Sequence, residues 1–132
     1  METEPNSTPT TAQGPVTVSS IFRGAITAGD IDCYRVRVPT GGASLYVETH
    51  DNAGGCPAGG ADTVATVYTA TGVRLAENDD IASNNLCSRL NGLVSGALHN
   101  LAAGEYPVCV RSYNATSAIA TYYVTVAVVP TM

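Results

Sequence analysis

Hydrophobic and polar residues alternate in short runs along this chain, and no stretch sustains the spacing of an amphipathic helix. The runs are rich in Val, Thr and Tyr and are separated by Gly, Asn and Asp, which is the chemistry of strands and turns. The pattern predicts eight strands: Val18–Ile26, Cys33–Val38, Ser44–Thr49, Thr63–Thr69, Val73–Glu77, Ser88–Leu93, Glu105–Tyr113 and Thr121–Val128. Thr71-Gly72 marks a tight turn between the fourth and fifth, and Ala103-Gly104 the turn before the seventh. Residues 1–15 are polar, carry three of the seven prolines and read as a lead-in, which leaves residues 16–132 as one domain. The period of two turns Tyr34, Val36 and Val38 to one side of the second strand and Cys33, Arg35 and Arg37 to the other. By the same rule Tyr106, Val108 and Val110 face inward with Cys109 and Arg111 outward, while Leu45 and Val47 face inward with Tyr46 outward. Short strands at this spacing indicate an antiparallel β-sandwich of jelly-roll type.

Charge narrows the partners. Charged residues make up 13% of the 132-residue chain, against about a quarter in an ordinary soluble domain. Six Arg and no Lys face eleven acids, for a net charge of −5. Nucleic acid is therefore not an expected partner, since phosphate binding wants a basic face; hard cations suit the balance better. Four Cys without C-x-x-C spacing point to disulfides and an oxidising, extracellular setting. The apolar run Tyr122 to Val129 is too short to span a bilayer. Met1 is followed directly by acids and turn formers, so the chain is expected to be a mature or excised piece.

Several blocks resemble, in order, the bacterial pre-peptidase C-terminal domain family, which includes the collagen-binding domains of clostridial collagenases. They are Glu2-Thr3-Glu4-Pro5-Asn6, Gly29-Asp30-Ile31-Asp32-Cys33-Tyr34, Asp62-Thr63-Val64 leading to Tyr68, Ala76-Glu77-Asn78-Asp79-Asp80, Ser88-Arg89-Leu90, and Leu101-Ala102-Ala103-Gly104-Glu105-Tyr106. The resemblance implies a jelly-roll-like sandwich appended to exported proteins. It departs at Cys33, at the Gly-rich insert Ala53–Ala61 that holds Cys56, and at Pro107, which is expected at an edge or bulge because it lacks a ladder donor.

The resemblance also implies calcium, held by Glu2, Glu4 and Asn6 on the lead-in with Asp30 and Asp32 before the second strand. Alternate spacing would turn each group one way, and calcium takes six to eight oxygens. Asp62, Asn78, Asp79 and Asp80 form a second acidic group, for which turn chemistry is the weightier reading. Jelly-roll order would set the second strand beside the seventh, which favours Cys33–Cys109 with Cys56–Cys87 over the two other pairings. His50 and His99 fall in turn-like regions and no Ser lies in a nucleophile elbow, so no enzyme is expected. Tyr46 and Tyr123 are candidate partner-surface residues that jelly-roll order would make neighbours, weighed against plain sheet surface. The function expected is a non-catalytic, calcium-stabilised accessory domain that binds a polymeric or surface partner or supports a larger exported protein. Its rival is a self-assembling subunit of an extracellular fibre or surface layer that uses the lead-in for contact between subunits.

Overall fold

Alternation sorts the apolar side chains into two facing layers. The computed structural model describes residues 13–51, 62–82, 85–114 and 116–131. Among the described residues it contains nine strands: β1 (Gln13–Val16), β2 (Ser20–Ile26), β3 (Ile31–Val38), β4 (Ala43–His50), β5 (Thr63–Tyr68), β6 (Arg74–Asn78), β7 (Arg89–Asn91), β8 (Gly104–Ser112) and β9 (Ile119–Pro130). One sheet has the order β1-β3-β8-β5-β6 and the other β2-β9-β4-β7. The result is a β-sandwich in which every strand pairing is antiparallel except β1 with β3.

Each of the eight expected strands has a counterpart, with boundaries shifted by at most two residues. The ninth is β1, which straddles the end of the segment read as a lead-in: Gln13 lies beside Tyr34 and Val16 beside Val36, with Val16 buried in the core. Its four residues are too few to show a period, and Gly14-Pro15 reads as a turn. Pro107 departs from expectation in the other direction, because it lies in β8, an interior strand of its sheet. The close Cys33–Cys109 pair marks a non-hydrogen-bonded position, so Pro107, two residues away and opposite Arg35, also turns its nitrogen away from β3. That nitrogen faces the β5 side just beyond Val67–Val108, where the β5 ladder ends. The missing donor therefore costs no ladder bond.

The core joins Tyr34, Val36, Val38, Ala65, Val67, Val108 and Val110 of the five-stranded sheet to Leu45, Val47, Tyr122, Val124 and Val126 of the other. A polar chain crosses it. The Tyr122 hydroxyl donates to the Asp32 carboxylate at 2.7 Å and lies 2.6 Å from the Tyr34 hydroxyl. Phe22 stacks on Tyr34 at 4.7 Å, and Gly24 leaves room for Tyr122, whose ring would meet an added Cβ at 2.7 Å. Burial, with Tyr34 and Asp32 alongside, pushes the Tyr122 phenol far above its ordinary range, so it stays protonated and able to donate.

Cys33 and Cys109 form a disulfide between directly paired residues of β3 and β8. Both project from the outer side as the period requires, yet both are buried, with Ile31 and Tyr68 packed against them. A bridge between residues 76 apart typically contributes about 2–4 kcal/mol. Tyr122→Phe should be destabilised by about 1–3 kcal/mol in urea unfolding, because it removes the buried donor to Asp32 while leaving the ring in place. An unchanged unfolding midpoint would show that the cross-sheet hydrogen bonds add nothing.

Candidate metal centre

Backbone ties at one end of the sandwich bring three carboxylates together. Asp62 immediately precedes β5, and its carbonyl accepts the Tyr113 N–H at 2.9 Å, which fixes it beside the end of β8. Asp79 and Asp80 follow β6. The Asn78 side-chain oxygen accepts the Arg89 N–H at 3.0 Å, and the Asp79 carbonyl accepts the Ser88 hydroxyl at 2.8 Å. Beneath them the Thr49, Thr63 and Ser88 hydroxyls form a buried chain with spacings of 2.7 and 2.8 Å that joins the two sheets.

One carboxylate oxygen from each of Asp62, Asp79 and Asp80 lies within 4.8 Å of the others. An oxygen of Asp62 and one of Asp79 are buried with no hydrogen-bond partner among the described residues. Desolvation raises the pKa of both carboxyls. Asp80 raises each further, Asp62 also raises Asp79, and Arg111 opposes the rise at Asp79. Calcium binds oxygens at about 2.3–2.6 Å, so two ligands of one ion lie no more than roughly 5 Å apart. The three carboxylates fit that limit, and all-oxygen donors suit a hard cation. Exposed Asp80 leaves a side open for water ligands.

The other expected site residues are distributed differently. Glu2, Glu4, Asn6 and Cys56 lie outside the described residues. Asp30 is half-buried at the start of β3 and accepts the Ile31 N–H at 2.9 Å. Asp32 points into the core, on the face it shares with Tyr34. Asn78 stands with the acidic group in sequence, but its amide oxygen is engaged by Arg89 rather than joining the carboxylates. Cys87 is disulfide-bonded. Tyr46 and Tyr123 lie on adjacent strands, on the outward face of the four-stranded sheet, but Tyr46 pairs with Ala127 and Tyr123 with His50, so the two rings are not immediate neighbours.

One contact that resembles a catalytic pair is structural. The Ser44 hydroxyl lies 3.2 Å from His99 Nδ1, and that nitrogen lies 2.8 Å from the Gly92 carbonyl. A carbonyl only accepts, so Nδ1 carries the proton and cannot take one from Ser44. Ser44 also accepts the Asn100 N–H at 2.9 Å, and the group secures the connection between β7 and β8. Spacing gives no signal for it, since the residues are 55 apart.

The raised carboxyl pKa values set a direction for pH dependence. The folded state holds these protons more tightly than the unfolded chain, so the stability they contribute is full below the ordinary Asp value of about 3.9 and is lost as pH rises through the raised folded values. In chelator, lowering pH from 7 towards 4 should lessen the penalty from this cluster. Asp79→Asn should raise the melting temperature at pH 7 and flatten that part of the pH profile; a lower melting temperature would show that the charge is compensated.

No family model matches the sequence, and no curated protein matches it. Among solved structures, the chain is similar to the pre-peptidase C-terminal domain of collagenase from Bacillus anthracis, with 16% identity, a TM-score of 0.57, and coverage of 85% of this chain and 91% of that one. It is also similar to PliG from Aeromonas hydrophila, a periplasmic inhibitor of g-type lysozyme, with 15% identity, a TM-score of 0.53, and coverage of 85% and 95% respectively. The chain has the β-sandwich fold found in a pre-peptidase C-terminal domain.

Proposed function

We propose that this chain is a secreted, non-catalytic accessory domain that is braced by calcium and binds a polymeric or surface partner on behalf of a larger exported protein. The observation that carries the reading is the fold shared with the collagenase pre-peptidase C-terminal domain along most of both chains. The likeness to a periplasmic inhibitor and the Cys33–Cys109 bridge support export to an oxidising compartment. Cys56 pairs with Cys87 in this reading, and peptide mapping without reductant checks it.

Calcium has two ligand sets to choose between. Asp62, Asp79 and Asp80 would tie the start of β5 to the end of β6 and relieve their mutual repulsion. Glu2, Glu4, Asn6, Asp30 and Asp32 would tie the lead-in to the start of β3; here Asp32 is the demanding member, because its carboxylate also receives the Tyr122 hydroxyl. The rival reading, self-association through the N-terminal segment, draws on β1. It is a four-residue edge strand whose pairing is with β3, the kind of strand that a neighbouring copy can supply.

Calorimetry with calcium and with chelator tests the bracing. Saturation at a hundred times the dissociation constant would stabilise the fold by about 2.7 kcal/mol, a shift of several degrees in melting temperature. Asp79→Asn should remove the shift if the carboxylate cluster is the site, and Glu4→Ala if the lead-in is. Identical melting temperatures in calcium and chelator would overturn calcium bracing. Hydrogen exchange of residues 13–18 that slows only at high protein concentration would favour the self-associating subunit.

A further inference from the structure

The outward face of the four-stranded sheet carries a row of hydrogen-bond donors for which the protein itself supplies few acceptors. Arg23 of β2 pairs with Tyr123 of β9, and Tyr123 pairs with His50 of β4. Their neighbours Tyr122, Val124 and Thr49 are buried, which turns the row to solvent. The Tyr123 and His50 rings stack with centroids 5.6 Å apart and planes within 16°. The Thr125 hydroxyl lies 3.1 Å from His50 Nε2 and fixes that ring.

Arg23 stands apart from the five other arginines. Arg35 and Arg37 meet Glu105, Arg74 meets Glu77, and Arg89 meets Glu48 at 3.1 Å. Arg111 donates to the Ser112 carbonyl and lies in the field of Asp79. Among the described residues Arg23 has neither an ion pair nor a hydrogen bond, and the Tyr123 hydroxyl has no hydrogen bond, in a chain where eleven acids face six arginines. Glu48, in the next row of the same face, is already held by Arg89 and by the Tyr46 hydroxyl at 2.6 Å, so it leaves the Arg23 charge standing.

We infer that the Arg23–Tyr123–His50 row binds an anionic polysaccharide. The inference rests on the polymer-binding reading above and names the class of polymer. A guanidinium can grip a carboxylate or a sulfate with two parallel hydrogen bonds. The Tyr123 ring offers an apolar surface to the C–H side of a sugar and its hydroxyl a donor to the sugar oxygens. The row crosses two strand spacings, roughly 10 Å, comparable with a disaccharide, so anion and ring contact can come from successive units. A sugar repeat carries its anion on a rigid apolar ring; an acidic peptide carries it on a mobile side chain.

Affinity measurements on dextran, dextran sulfate and hyaluronate test this with the intact chain. The wild type should bind one or both anionic polymers but not dextran, and dextran sulfate against hyaluronate separates sulfate from carboxylate. Binding should weaken sharply by about 0.5 M salt, where charges are screened within a few ångströms. Arg23→Gln should weaken binding about tenfold, as expected for loss of a charged hydrogen bond. Tyr123→Ala should also weaken it, whereas Arg74→Gln on the other sheet should match the wild type. Unchanged unfolding midpoints would show that these variants are folded. Equal affinity for dextran, wild-type affinity in both Arg23→Gln and Tyr123→Ala, or no binding to either anionic polymer would overturn the inference. Binding to dextran alone would leave the broader polymer-binding reading standing, and the calcium calorimetry judges the bracing separately.

Discussion

The two sheets are held in register by a polar chain that has to be satisfied inside an apolar core. Asp32 and Tyr34 come from β3, and Tyr122 comes from β9 on the facing sheet. An unpaired carboxylate at this depth would cost several kcal/mol, so the Tyr122 hydroxyl has little freedom to move away. That requirement fixes the position of β9 relative to β3, the need for Gly24 against the Tyr122 ring, and the seat of Phe22 over Tyr34. The aliphatic core would tolerate some sliding of one sheet over the other; the hydrogen-bonded chain tolerates far less.

The two ends of the sandwich differ in chemistry. The end near Asp32 gathers Asp30, Asp62, Asp79 and Asp80 at the limits of β3, β5 and β6. The far end carries exposed Val18, Val73, Leu93, Val94 and Val129 in turns and strand termini. Antiparallel pairing runs adjacent strands in opposite directions, so residues distant in sequence arrive at one end together. The carboxylates meet because the start of β5 and the end of β6 are the same end of a hairpin, with Asp62 further secured by β8.

Much of the architecture was legible in the sequence because burial follows a period of two. Tyr34, Val36 and Val38, and likewise Tyr122, Val124 and Val126, face inward as the alternation requires. The same rule places Asp32 on the Tyr34 face, although an acid there reads more readily as a metal ligand than as an acceptor for a distant tyrosine. The Asp32–Tyr122 contact spans 90 residues and has no local signature. β1 was hidden for another reason: an edge strand of four residues containing Gly-Pro has too little alternation to register. The Asp62, Asp79 and Asp80 group was visible as residues, but adjacent Asn and Asp also make turns, and the choice depends on whether a separate strand delivers Asp62. Asn78 shows the two roles side by side, bridging to β7 while its neighbours gather.

The carboxylate cluster lies beyond the hydrophobic core, at the ends of strands that frame it. Repulsion among Asp62, Asp79 and Asp80 acts on the ends of β5 and β6, while the core residues between the sheets are held by burial and by the Tyr122 chain. The connection between these regions is the Thr49–Thr63–Ser88 hydroxyl chain, which reaches Asp79 through its carbonyl. A change in charge at the cluster therefore bears on the Ser88 contact and on the short β7, which has three residues and, among the described residues, pairs with β4 alone. The outward row of Arg23, Tyr123 and His50 rests on β2, β9 and β4, and His50 directly follows Thr49 of the hydroxyl chain, so the row lies at the same end of the sandwich as the cluster. His50 therefore shares its strand with the hydroxyl chain that reaches Asp79, and the outward face and the acidic end are mechanically joined through β4.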